Sequence, residues 1–132
     1  MAIRYRITKR SNSIQNKKEQ YIMQAVTTGT VDLETISNVI SNECSLHSVD
    51  VQAVLIALGK KLEFYLQEGK IVDLGAVGKF KMGFKCTAEE DQTLLSPKRS
   101  IKKYHVNYQP SVKLKRVLKN GITTYKEGSR SI

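Results

Sequence analysis

The chain has 132 residues, 40% of them apolar, and a net charge of +10. That length fits one domain with an elaboration or a tail, and the core it can bury is modest enough that sharing it with a second copy would help. The opening MAIRYRITKR lacks the apolar run of a signal peptide, no stretch approaches a membrane span, and Cys44 and Cys86 have neither metal-ligand nor redox spacing, so a soluble cytoplasmic protein with reduced thiols is expected.

The charge is segregated. Residues 1–18 carry six bases and no acid, residues 19–91 six bases against eleven acids, and residues 92–126 nine bases and again no acid. A mildly acidic middle between two basic flanks suits a protein that meets phosphates or an anionic surface, although basic flanks also serve solubility.

In chain order, AIRYRIT sets Ile3, Tyr5 and Ile7 against Arg4, Arg6 and Thr8, the period of a half-buried strand. SNSIQNKK reads as a loop and YIMQAV (21–26) as a second strand, together a β-hairpin with the two arginines solvating an edge. Asp32 stands at a helix N-cap position, with Leu33, Ile36, Val39 and Ile40 following at helical spacing. After the short CSLHS link a second helix carries the stripe Val51, Val54, Leu55, Leu58, Leu62, Tyr65 and Leu66, and Gly69 ends it. So short a link predicts a helical hairpin.

At Ile71 the period changes to two. IVDL is a strand, GAVG a tight turn, and KFKMGFKC places Phe80, Met82, Phe84 and Cys86 on one face with Lys79, Lys81 and Lys85 on the other. Residues 87–100 have no period. IKKYHVNY resumes alternation with Tyr104, Val106 and Tyr108, which predicts a long β-hairpin with an extended arm. Pro110 and Ser111 open a last helix, with Leu114, Val117 and Leu118 inward and Asn120–Gly121 at its end.

YLQEGKIVDLGAVGKFKM (65–82) resembles the helix end, strand and Gly-x-Gly-x-Phe signature of the HU and integration host factor family, with one extra residue between Gly75 and Gly78. YQPSVKLKRVLKN (108–120) resembles that family's opening of the final helix, with Ser111 where glycine is usual. The two-helix segment agrees in length and apolar pattern. The first thirty residues are similar to an extended branch of the family in Bacteroides-like bacteria, with its VDLE opening of the first helix.

The resemblance implies an α+β, HU-like fold: an N-terminal helical hairpin, a three-stranded β-sheet with a long β-arm, a short C-terminal helix, and an N-terminal β elaboration, all in an intertwined homodimer. Residues 1–31 would be the elaboration, 32–121 the DNA-binding domain with its arm at about 86–101, and 122–132 a flexible tail. It also implies a nucleoid-associated, histone-like protein that binds and condenses duplex DNA largely without sequence specificity, through a basic saddle and arms reaching into the minor groove. The family's Arg-Asn-Pro arm tip is absent. The arm midpoint falls in the acidic AEEDQT (88–93), and Pro97, on the returning limb, reads as a strand edge or kink.

Candidate phosphate contacts are Lys98, Arg99, Lys102 and Lys103 on the arm, Lys79, Lys81 and Lys85 on the saddle, and Lys113, Lys115 and Arg116 on the last helix, where lysines also suit the helix dipole. Phe80, Phe84, Tyr104 and Tyr108 read as core rather than as stacking platforms. GAVG has the Gly-x-x-Gly spacing of an RNA-clamping loop, but between strands instead of helices. His47 and His105 lack a nucleophile or carboxylate at pairing distance, and Glu89, Glu90 and Asp91 read as solvated, so no enzyme, cofactor, metal or small-molecule substrate is expected. The alternative is an HU-fold structural or protein-interaction module with weak or no DNA binding.

Overall fold

The computed structural model describes residues 2–10 and 19–128. The element order is β1 (Ile3–Arg10), β2 (Gln20–Val26), α1 (Leu33–Glu43), α2 (Ser48–Gln67), β3 (Val72–Asp73), β4 (Gly78–Cys86), a 3-10 turn (Gln92–Leu94), α3 (Pro97–Ser100), β5 (Ile101–Pro110), α4 (Val112–Asn120) and β6 (Thr124–Lys126). These elements form two compact units. One takes residues 1–32 with 117–132, the other residues 33–116.

The first unit is a three-stranded sheet in the order β2-β1-β6. β1 and β2 are the expected antiparallel pair, with Ile7 opposite Met23. Two expectations fail here. β1 is the central strand and not an edge, because β6 pairs with it in parallel through Ile3↔Thr124 and Tyr5↔Lys126. Residues 124–126 are therefore part of a sheet and not of a flexible tail; Ile3 N–H donates to the Thr123 carbonyl at 2.9 Å, and Arg6 meets Glu127 at 3.0 Å. The SNSIQNKK loop and residues 129–132 lie outside the described residues.

In the second unit α1 packs on α2, as the short link requires. α2 ends in a complete Schellman motif. Gly69 adopts φ +80°, its N–H donates to the Leu66 carbonyl at 3.0 Å, and Lys70 N–H donates to the Tyr65 carbonyl at 3.2 Å. The second sheet has the order β3-β4-β5, antiparallel throughout, and α2 packs on β3 and β4.

The GAVG turn is fixed from three sides. Asp73 Oδ1 accepts from Gly75 N–H at 2.9 Å, Leu74 N–H donates to the Gly78 carbonyl at 2.8 Å, and Tyr108 Oη donates to the Val77 carbonyl at 2.6 Å. A side chain at Gly78 would meet the Gln109 carbonyl oxygen at 2.5 Å, so this glycine admits the close approach of β5.

Among the described residues Val51 and Leu66 are the buried apolar side chains. Leu55, Leu58 and Leu62 are half-buried, but Val54 is 62% exposed and Tyr65 lies open as well. The expected core role of the sheet aromatics also fails within one chain. Phe80 is half-buried, whereas Phe84, Tyr104 and Tyr108 are exposed, and so are Leu114, Val117 and Leu118 of α4. The apolar periodicity is as expected, but among the described residues nothing covers these side chains.

Strand pairing stops at Cys86↔Ile101. Where an extended arm is expected, residues 87–100 fold into a short knob, closed at its base by Thr87 N–H donating to the Ser100 carbonyl at 2.9 Å. Asp91 caps the 3-10 turn. Pro97 begins α3 rather than kinking a strand: its fixed φ suits a first helical position, where no N–H is needed.

Candidate nucleic-acid interface

The β4–β5 register sorts the hairpin into two faces. Phe80↔Tyr108, Met82↔Val106 and Phe84↔Tyr104 share one; Lys79↔Gln109, Lys81↔Asn107, Gly83↔His105 and Lys85↔Lys103 share the other. Lys79, Lys81, Lys85 and Lys103 thus form one exposed basic face, as the alternation implied for the first three. Asp73, in register opposite Lys79, is the acid among the strands of this sheet, and its Oδ1 is held by the Gly75 amide. The positive charge of the row is otherwise unopposed.

The other candidates are distributed differently. A bulge lies where one step on β4, Lys85 to Cys86, is matched by two on β5, Lys103 to Ile101. Lys102 is the extra residue and has no cross-strand partner. The bulge shifts the phase of β5, so Ile101 stands opposite Cys86 and lines, with Phe84, Leu95 and Pro97, an apolar hollow of about 220 Å³ at the base of the knob. Lys98 and Arg99 sit on the single turn of α3, away from the ladder. Lys113, Lys115 and Arg116 are exposed on α4, whose first turn is capped by Ser111: its Oγ accepts from Leu114 N–H at 3.3 Å. Arg4, Arg6 and Lys9 are engaged within the first unit. Arg4 donates to the Thr27 carbonyl, Arg6 pairs with Glu127 and Lys9 with Glu19.

The acidic segment is not three equivalent carboxylates. Asp91 Oδ1 accepts from Thr93 N–H at 3.0 Å, and that bond, aided by the Thr93 side chain, holds its carboxyl below the ordinary aspartate range. Glu89 and Glu90 are exposed.

Three residues of the basic face went unmarked as site residues in the sequence: His105, Asn107 and Gln109. The signal was there, since they occupy the odd positions that alternate with Tyr104, Val106 and Tyr108. The His105 ring lies over Gly83, where a Cβ would stand 3.1 Å from Nε2. Gln109 and Asn107, with Lys79, Lys81 and Ile71, line a hollow of about 410 Å³. Among the described residues no group of His, Cys, Asp and Glu is arranged to hold a metal ion.

The geometry defines a small α+β protein that presents a lysine-bearing antiparallel ladder on one sheet face. A family model described as an HU domain fused to a wHTH, Ig or glycine-rich motif matches residues 1–126, nearly the whole chain, and the chain belongs to this HU-HIG family. A solved protein from Bacteroides vulgatus ATCC 8482, provisionally named a bacterial DNA-binding protein, superposes with a TM-score of 0.66 at 14% identity; the match covers 99% of this chain and 50% of that one. The likeness is one of fold, and this chain spans about half the length of that neighbour. None of the curated proteins is similar enough to count as a relative.

Proposed function

We propose that the protein is an architectural, histone-like DNA-binding protein of the nucleoid, which binds duplex DNA mainly through backbone charge and bends or condenses it without catalysing a reaction. The observation that carries this reading is the row Lys79, Lys81, Lys85 and Lys103, four exposed bases in one ladder, with Asp73 the one acid on the strands of this sheet. Such a row displaces counterions from phosphate, and that release is the main source of non-specific DNA affinity. Lys98, Arg99 and Lys102 at the knob and Lys113, Lys115 and Arg116 on α4 are proposed as further phosphate contacts, consistent with membership of an HU-type family.

The working form is a homodimer. Val54, Ile56 and Phe64 of α2, Phe84 and Tyr104 of the sheet, and Leu118 of α4 are all at least 49% exposed in one chain, too much apolar surface for an isolated protein of this size. The domain proposed for DNA is residues 32–121, the N-terminal strands being an elaboration.

The reading is tested with the quadruple variant Lys79→Ala, Lys81→Ala, Lys85→Ala and Lys103→Ala. Duplex binding at moderate salt should be lost with little change in Tm. Unchanged affinity would contradict it. A second reading, a structural or protein-interaction module, draws on the apolar hollow at the knob; it predicts weak or no duplex binding by the wild type even at low salt.

A further inference from the structure

The basic face is chemically uneven. β4 contributes lysines at 79, 81 and 85 and a glycine at 83, whereas β5 places Gln109 and Asn107 opposite the first two lysines, His105 opposite the glycine and a lysine only at 103. A lysine at either amide position would face Lys79 or Lys81 as a like charge, which the amides avoid, but half of an amide's hydrogen-bonding capacity, its acceptor, finds nothing on a phosphate. Among the described residues neither amide side chain makes a hydrogen bond, so donor and acceptor are both left for a ligand. They converge, with Lys79, Lys81 and the 60% exposed Ile71, on the hollow of about 410 Å³.

We propose that Asn107 and Gln109 read the edges of A·T base pairs in the bound duplex, while Lys79 and Lys81 beside them hold its backbone; this deepens the DNA-binding reading and rests on it. An amide is the side chain that matches adenine's adjacent donor and acceptor in the major groove, and its NH2 also donates to the acceptors that A·T pairs show in the minor groove. Ile71 supplies an apolar wall suited to a thymine methyl. The spacing fits as well. Side chains two apart on one strand face are separated by about 6.8 Å, the axial advance of two base pairs at about 3.4 Å each. The two amides therefore favour A·T at positions i and i+2, with the pair between them unread.

The experiment compares short fluorescent duplexes of equal length carrying A·T, G·C or inosine·C pairs, with wild type and with the Asn107→Ala/Gln109→Ala variant, each across a salt series. The wild type should prefer A·T over G·C by on the order of tenfold per read pair. The variant should lose that preference while keeping the salt slope, and Lys79→Ala/Lys81→Ala should flatten the slope. Inosine·C shows a minor-groove edge like A·T and a major-groove edge like G·C, so its rank among the three assigns the groove in which the preference arises. A wild type that binds with a steep slope but no preference overturns the inference and leaves the DNA-binding reading standing. Preference retained by the amide variant also overturns it, since duplex shape would then be what is read. No binding by the wild type overturns both.

Discussion

Lys85 and Lys103 stand directly opposite each other across the β4–β5 ladder. Like charges at facing positions on one sheet face destabilise the pair, and no acid of the sheet lies beside them to offset it. The arrangement is reasonable if an anion comes between the two ammonium groups. Lys103→Glu should stabilise the free protein by about 0.5 kcal/mol, a Tm rise of a few degrees, and weaken duplex binding. Thermal melts and duplex titrations on the same variant check both halves; a variant more stable and equally able to bind would show that the pair has no ligand.

Gly75 and Gly78 flank one turn but answer differently to a methyl group. At Gly75, with φ +62°, nothing lies within 4 Å, so Gly75→Ala meets only the left-handed backbone penalty of about 1 kcal/mol. At Gly78, with φ +133°, the new Cβ would stand 2.5 Å from the Gln109 carbonyl oxygen and 2.7 Å from the Tyr108 ring. Gly78→Ala should cost about 4 kcal/mol, strain and overpacking together, read by urea denaturation.

Ser111 replaces the glycine usual at the start of the final helix in the family it resembles, and the structure gives the replacement a task. Its Oγ accepts from Leu114 N–H at 3.3 Å, three positions into the helix. Ser111→Ala should lose about 1 kcal/mol in urea denaturation, and Ser111→Gly only a few tenths. Equal losses would mean the hydroxyl is not acting as a cap.

Asp91 makes the knob sensitive to acid. Because the Thr93 N–H bond lowers its carboxyl in the folded chain, the stabilisation is fully present above the ordinary aspartate value and is lost as pH falls through the lowered one. Hydrogen exchange at the Thr93 amide should therefore be protected near neutrality and lose protection only in that acid range. Asp91→Ala should remove the protection at every pH.

Element identity was largely legible because periodicity survives without knowledge of partners. The change from period 3.6 in α2 to period 2 at Ile71 locates the sheet, and the lysines at 79, 81 and 85 fall on the face opposite Phe80 as alternation requires. Three features were not legible. The parallel pairing of β6 with β1 joins residues more than a hundred positions apart, and a three-residue strand has too little pattern to announce itself. The bulge at Lys102 depends on where the pairing ends, which local alternation does not encode. The knob of residues 87–100 is built from caps and single turns, at Asp91 and Pro97, whose hydrogen bonds leave no hydrophobic period. Asn107 and Gln109 were visible as odd-numbered strand residues, but lysine rows draw attention to charge, and amides carry none.

Whether the ladder face binds polyanionic duplex is read from binding of the wild-type protein to a mixed-sequence fluorescent duplex over a salt series. Each phosphate contact contributes about −0.9 to the slope of log K against log salt. Contacts from the four ladder lysines of one protomer alone give a slope of about −3.6, and contacts from the second protomer, α3 and α4 make it steeper. Saturable binding with a slope at least that steep is the expected result. A slope near zero, or no binding at low salt, would contradict the account.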